Sequence, residues 1–231
     1  RGDHPSFANC GLPYYVSGEI TDESDLLVQT PESLRAALDL DVRVRHEVVG
    51  VDPAARTVRV RNADGEHTVG YDALILSPGA RAVRPPLPGL DSPRVQTLRT
   101  VGEAVRLRER LDDLPDGGRA VVLGAGFIGL EAAEGLRLQG LEVDVVELSE
   151  HVLPPLETEL AALIREELTG LGIRVHEGIG ATAVETGAAA DTVVLGDGSR
   201  LAADIVVLSV GVRPDTEVFE AAGIACERGA L

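Results

Sequence analysis

The chain has no lysine, no methionine and no tryptophan, and all 21 of its basic residues are arginine. Without lysine, no lysine Schiff base can form and no lysine can serve as a general base. Any anion must be held by arginine or by backbone amides. Positive charge is also scarce, because 38 acidic residues leave a formal net charge of −17. That balance argues against non-specific binding to nucleic acid. The arginine bias reads mainly as genomic composition, and the acidity would also suit a salty cytoplasm. Only two cysteines occur, Cys10 and Cys226, at opposite ends of the chain. They build no disulfide framework, so a reducing, cytoplasmic setting is expected. No apolar run approaches the length of a membrane span, no signal peptide is recognised, and no His/Cys cluster has metal-ligand spacing. The chain begins at Arg1 and stops at Leu231 just after an apparent return into a strand, which is the pattern expected of a piece of a longer protein.

What is present starts with Cys10, in the run Ser6-Phe7-Ala8-Asn9-Cys10-Gly11-Leu12-Pro13-Tyr14-Tyr15. The positions that would complete a local dithiol hold Pro13, Tyr14 and Tyr15. A redox-active Cys10 must therefore cycle as a single thiol, through a sulfenic acid or a mixed disulfide with a small thiol. The other reading is an inert thiol packed as a small hydrophobe. A reactive thiolate needs a lowered pKa, and the expected source is the N-terminus of a helix beginning around Gly11 to Tyr15. His4 reads as a solvated loop histidine, and Cys226 as a strand residue without a role.

The length of 231 residues and 44 % hydrophobic content suit one large domain or two small ones. Thr30-Pro31-Glu32 opens a helix, with Thr30 as N-cap and Pro31 at the first helical position. Strand signals follow at Val42 to Arg45, Glu47 to Val51, Thr57 to Arg61 and His67 to Tyr71. Ala73-Leu74-Ile75-Leu76 is a continuous apolar run, as expected of a strand buried on both faces. A proline-rich stretch over 81–93 is the linker candidate, where Arg81 and Arg84 read as solvating charges. A helix from about Val101 to Leu111, a βαβ unit from Ala120 to Glu147, a helix from Glu157 to Leu168 and a hairpin turning at Gly196-Asp197-Gly198 follow. The run Asp72-Ala73-Leu74-Ile75-Leu76-Ser77-Pro78-Gly79 matches Asp204-Ile205-Val206-Val207-Leu208-Ser209-Val210-Gly211 in layout. Duplication of one domain design explains this, as does a shared buried-strand composition.

The run Val121-Val122-Leu123-Gly124-Ala125-Gly126-Phe127-Ile128-Gly129-Leu130-Glu131 has the glycine pattern of a dinucleotide-binding turn. Gly124 permits the tight turn, Gly126 lets backbone approach a pyrophosphate, and Gly129 lets helix and strand pack closely. The helix N-terminus at Phe127 then faces the phosphates. Glu147 ends the next strand in the register of an acid that binds a ribose diol and repels a 2′-phosphate. Leu148 and Ser149 follow it, so NADH is expected over NADPH. Hydride does not readily pass from nicotinamide to sulfur directly, and a flavin usually mediates. Only one glycine fingerprint is visible, so a flavin's own turn would lie outside this sequence.

With these motifs the chain resembles the flavin-dependent pyridine nucleotide-disulfide oxidoreductases. It is most similar to the single-cysteine coenzyme A-disulfide reductases and NADH-dependent persulfide reductases, through Ser6-Phe7-Ala8-Asn9-Cys10-Gly11-Leu12-Pro13-Tyr14. The resemblance implies an α/β fold of two related, Rossmann-like dinucleotide-binding domains with β-hairpin excursions, the first incomplete. Its expected limits are a partial FAD-binding domain over 1–92, an NAD-binding domain over 93–216, and a return to the FAD domain over 217–231. It implies that Cys10 is the redox nucleophile and that Ser6 and Asn9 contact coenzyme A. Glu47 and Val48 would border the flavin adenine, and Ser77, Pro78 and Gly79 would form a second flavin-contacting turn. Gly124, Gly126, Phe127, Ile128, Gly129, Glu131 and Glu147 would bind NADH, with Gly211 near the nicotinamide. The implied cofactors are FAD and NADH, and the implied substrate is coenzyme A disulfide, a persulfide or a polysulfide. The implied parent is a homodimer held by a C-terminal domain; without that domain, the first flavin fingerprint and the late Gly-Asp flavin motif of the family, this piece is expected to bind FAD poorly and be inactive alone. An NADH oxidase or peroxidase working through a Cys10 sulfenate is the alternative enzyme. A nicotinamide-binding redox sensor is the alternative of another class.

Overall fold

The computed structural model describes residues 2–115 and 117–227. It divides into two compact units, and each is built from its own sheets. The larger unit joins Ala8–Leu26 to Ala82–Gly211. Its centre is a five-stranded sheet, in the order Arg174–His176, Glu142–Val146, Arg119–Leu123, Ile205–Leu208, Val95–Gln96. Every neighbouring pair is parallel. The reason lies in the residues: Val121, Val122, Val143, Val145, Val206 and Val207 are fully buried, and β-branched runs covered on both faces belong in the middle of a parallel sheet. Parallel neighbours need crossovers, and helices Phe127–Leu138 and Thr158–Gly170 supply two of them.

An antiparallel meander of Ala181–Glu185, Asp191–Leu195 and Arg200–Ala203 covers part of this sheet. Val184, Val193, Leu195 and Ala203 pack there with Val121, Leu123, Val206 and Leu208 in one core cluster. Elsewhere the short helix Leu12–Ser17 packs on helices Val101–Asp112 and Phe127–Leu138. Its C-terminal carbonyls are held from both: Arg108 Nη1 donates to Val16 O at 3.2 Å and Gln139 Nε2 donates to Ser17 O. Cationic and amide donors at that end satisfy carbonyls that the helix itself leaves open. Residues 8–26 are thus packed into this unit. A segment of six helical residues finds its apolar partners through tertiary contact, which sequence order does not reveal.

The smaller unit comprises the described residues of Arg1–Phe7, Leu27–Arg81 and Val212–Leu231. It contains a second antiparallel meander, Glu47–Asp52, Thr57–Asn62 and Gly65–Gly70, on which helix Glu217–Ala221 packs. Strand Ser6–Phe7 pairs with Leu27–Gln29. Helix Pro31–Leu38 starts as expected, with a reciprocal cap: Ser33 N donates to Thr30 Oγ1 at 3.1 Å and Thr30 N to Ser33 Oγ at 2.9 Å. Arg81 pairs with Glu217 and Asp215, and Arg84 donates to Leu90 O at 2.7 Å; both arginines are tied to protein instead of merely solvating a linker.

Two expected strands are absent. Val42 to Arg45 is irregular chain with Arg45 at φ 56°. Leu74 to Leu76 is likewise not a strand, and Ile75 is 91 % exposed. A buried strand needs neighbours to take its amides and carbonyls, and among the described residues none pairs here. The α/β class with a parallel Rossmann-type sheet is therefore realised in the larger unit. No described helix is long and apolar enough to cross a membrane, and among the described residues no His/Cys/Asp/Glu group could hold a metal ion.

Candidate dinucleotide cradle and cysteine site

The glycine turn leaves strand Arg119–Leu123 at its C-terminal end and enters helix Phe127–Leu138. Gly124 has φ 102°, and a Cβ there would strike the Ser209 carbonyl oxygen. A Cβ at Gly129 would strike the Gly124 carbonyl oxygen. These two glycines are required by packing. Gly126 differs: its φ is −77° and a Cβ there would meet nothing within 4 Å. Neither backbone strain nor a protein neighbour demands glycine at 126. The open space lies at the uncapped N-terminus of a twelve-residue helix, since Gly126 offers no side-chain hydrogen bond to it. A pyrophosphate needs such a backbone approach and such unspent amides. The cradle fits the pyrophosphate of a dinucleotide.

Glu147 is 8 % exposed and spans the turn. Its Oε2 accepts from Ala125 N at 2.7 Å, and its Oε1 accepts from Ser149 N at 2.8 Å. The carboxylate therefore braces the glycine turn, a role not foreseen from its spacing. Each oxygen retains acceptor capacity, which is what a ribose diol would use. Phe127 and Ile128 are exposed at the helix start, Glu131 is exposed one turn on, and Gly211 is exposed at φ 102°.

Cys10 lies in the same unit. It is exposed within a 3-10 turn, Asn9–Gly11, that leads straight into helix Leu12–Ser17 with Pro13 in its first turn. The turn is held by Ala8 N donating to Leu26 O at 2.8 Å and Gly11 N to Ala8 O at 2.9 Å. Asn9 Oδ1 accepts from Arg99 Nη1 at 2.7 Å. Sequence reasoning missed Arg99, which is distant in the chain and belongs to no motif. Cys226 is a different thiol: burial and the Glu220 carboxylate push its pKa up, and its Sγ faces Ile224 O.

The remaining expected site residues lie in the smaller unit. Ser6 is in the edge pair with Leu27–Gln29. Glu47 and Val48 start a meander strand, where Val48 is exposed. Ser77, Pro78 and Gly79 are exposed in irregular chain. Among the described residues they do not form a phosphate cradle like that at Gly124–Gly129.

Residues 2–231 match the family model described as pyridine nucleotide-disulphide oxidoreductase. The chain belongs to this family. It is 32 % identical to an NADH oxidase of Methanocaldococcus jannaschii, over 94 % of this chain and 49 % of that protein. It is also 32 % identical to a coenzyme A disulfide reductase of Staphylococcus haemolyticus, over 96 % of this chain and 49 % of that protein. The structure of reduced CoADR-RHD from Bacillus anthracis superimposes with a TM-score of 0.94 at 38 % identity, covering 99 % of this chain and 41 % of that one. The chain spans about half the length of the relatives it matches. The family is one of FAD- and NADH-dependent oxidoreductases, so the resemblance read from the Cys10 and Gly124 motifs holds at family level.

Proposed function

We propose that this chain is the part of a coenzyme A disulfide or persulfide reductase that binds NADH and carries its single redox cysteine. The observation that carries the reading is Cys10, exposed at the head of a helix in the same compact unit as the Gly124–Gly129 cradle. The Cys10 thiolate attacks one sulfur of a coenzyme A disulfide; the S–S bond breaks and one coenzyme A thiolate leaves. The remaining mixed disulfide on Cys10 takes up two electrons, releasing the second coenzyme A thiolate and restoring the Cys10 thiolate. NADH supplies the electron pair and becomes NAD+, so the sum is NADH, a proton and one disulfide giving NAD+ and two thiols. FAD, when bound, would supply the two-electron relay between nicotinamide and sulfur. Gly126 and the helix N-terminus bind the pyrophosphate, while Glu147 accepts from the ribose diol and disfavours a 2′-phosphate. Ser6 and Asn9 hold the coenzyme A moiety, and Glu47, Val48 and Ser77 to Gly79 touch the flavin. The parent works as a cytoplasmic homodimer, and the piece alone is inactive.

Mass spectrometry of the unreduced, flavin-loaded protein at the relatives' full length is the test. A coenzyme A adduct on Cys10, with turnover of coenzyme A disulfide lost in Cys10→Ser, is expected. A single added oxygen on Cys10, with oxygen consumption, supports the second reading, an NADH oxidase, which the Methanocaldococcus relative favours. No NADH turnover with any thiol or oxygen acceptor would leave the redox-sensor reading.

A further inference from the structure

The Cys10 turn is tied to a distant part of its own unit by one side chain, and that side chain has a rigid footing. Glu103, in the first turn of helix Val101–Asp112, gathers the residues before it. Its Oε1 accepts from Thr97 Oγ1 at 2.7 Å. Its Oε2 accepts from Arg99 N at 2.7 Å and Thr100 N at 3.0 Å. Thr100 Oγ1 returns the cap by accepting from Glu103 N at 3.3 Å. The backbone of Arg99 is thereby locked on a capped helix, and its guanidinium reaches Asn9 Oδ1 at 2.7 Å.

The chemistry of that contact decides which way Asn9 faces. An asparagine amide has an acceptor end and a donor end, and only its hydrogen-bond partners choose between its two orientations. A guanidinium has donors only. With Arg99 on one side, the oxygen of Asn9 must turn toward it, and the amide NH2 is left as the donor end. We infer that Arg99 is the positioning residue of the Cys10 site, holding the Asn9 NH2 as a fixed donor for an acceptor atom on the group that approaches the Cys10 sulfur. This rests on the proposed thiol chemistry of Cys10 and adds one requirement to it: the approaching group carries a hydrogen-bond acceptor near its reacting atom. In a chain with net charge −17, the same guanidinium also offsets repulsion of an anionic reagent beside Cys10.

Alkylation of Cys10 in the 231-residue chain tests this without flavin or turnover. Iodoacetamide carries the carbonyl acceptor without charge, and iodoacetate carries the same arm with charge; peptide mapping separates Cys10 from Cys226. Arg99→Ala is expected to slow alkylation by iodoacetamide roughly threefold to tenfold and by iodoacetate more, so that the iodoacetate-to-iodoacetamide ratio falls. Arg99→Lys, which keeps a donor and the charge, is expected to restore the ratio. The double variant Asn9→Ala/Arg99→Ala should react with iodoacetamide no more slowly than Asn9→Ala alone, because Arg99 acts through Asn9. Wild-type rates and ratio in Arg99→Ala would overturn the inference, as would additive effects in the double variant. If Arg99→Ala folds poorly, Arg99→Met, which keeps the apolar stem and removes the donors and the charge, takes its place in the ratio and in the cycle with Asn9→Ala. Alkylation rates that shift as expected, while the flavin-loaded protein at the relatives' full length turns over no coenzyme A disulfide, would count against the proposed reductase and leave the role of Arg99 standing.

Discussion

Asp72 to Gly79 and Asp204 to Gly211 have nearly the same sequence layout, and each follows a three-stranded antiparallel meander. In the larger unit the apolar run is strand Ile205–Leu208, flanked by parallel neighbours on both sides and fully buried at Ile205, Val206 and Val207. Asp204 at its head accepts from Arg119 N at 2.9 Å and Arg119 Nε at 3.1 Å. In the smaller unit the matching run is not a strand, and its central Ile75 is 91 % exposed. The difference teaches that an apolar β-type run specifies a capacity to be buried, and the neighbours decide whether it is used. Position by position the two runs differ little; the strands on either side are what one has and the other lacks among the described residues.

The sharpest way to break that comparison is to charge both runs. Val207→Asp would bury an unpaired carboxylate and is expected to cost more than about 4 kcal/mol, enough to unfold the larger unit in urea titrations. Ile75→Asp, at the matching position, is expected to change stability by less than about 0.5 kcal/mol. Comparable losses would mean that Ile75 is covered in solution.

A smaller contrast lies at the head of each run. Burial pushes the Asp204 carboxyl up, but hydrogen bonds and charge from Arg119 outweigh it, so its pKa ends below the usual aspartate value. A depressed folded pKa contributes stability that is present above the unfolded value and lost as pH falls through the folded one. Asp204→Asn should therefore cost about 1–2 kcal/mol at neutral pH. The gap to wild type should close as pH drops below the ordinary aspartate range, as read from denaturation midpoints across pH. Asp72→Asn, at an exposed position, should stay within about 0.5 kcal/mol at either pH.

The third contrast concerns the turns. Gly126→Ala is expected to leave the melting temperature unchanged or slightly raised, yet to weaken NADH binding about tenfold or more, roughly 1.4 kcal/mol, in a fluorescence titration. Gly79→Ala, at φ 73°, is expected to cost about 1 kcal/mol of stability through backbone strain and to leave NADH binding alone. An NADH affinity unchanged in Gly126→Ala would remove the cradle reading.

Much of the cradle was legible because its requirements are local. The tight turn at Gly124, the open approach at Gly126, the packing at Gly129 and the acid at Glu147 all act within one βαβ unit. The bracing role of Glu147 was hidden, since its spacing says that it nears the turn and not which atoms it meets. The cysteine site was legible only in part. Cys10, its missing local partner and the helix that follows were readable, but Arg99 reaches Asn9 from another element, and no periodicity or spacing announces that contact.

By itself, the sequence determined the chemistry available: a lone thiol at Cys10, arginine as the sole strong cation, one dinucleotide turn, and apolar runs able to form strands. Tertiary structure decided which of these capacities were realised. It packed residues 8–26 with the five-stranded parallel sheet, buried Ile205 to Leu208 while leaving Leu74 to Leu76 unpaired, and turned the Asn9 amide by setting Arg99 against it. The physical reason is the same in each case. Local backbone geometry is encoded by neighbouring residues, whereas burial and side-chain orientation are set by partners that the chain brings together only on folding.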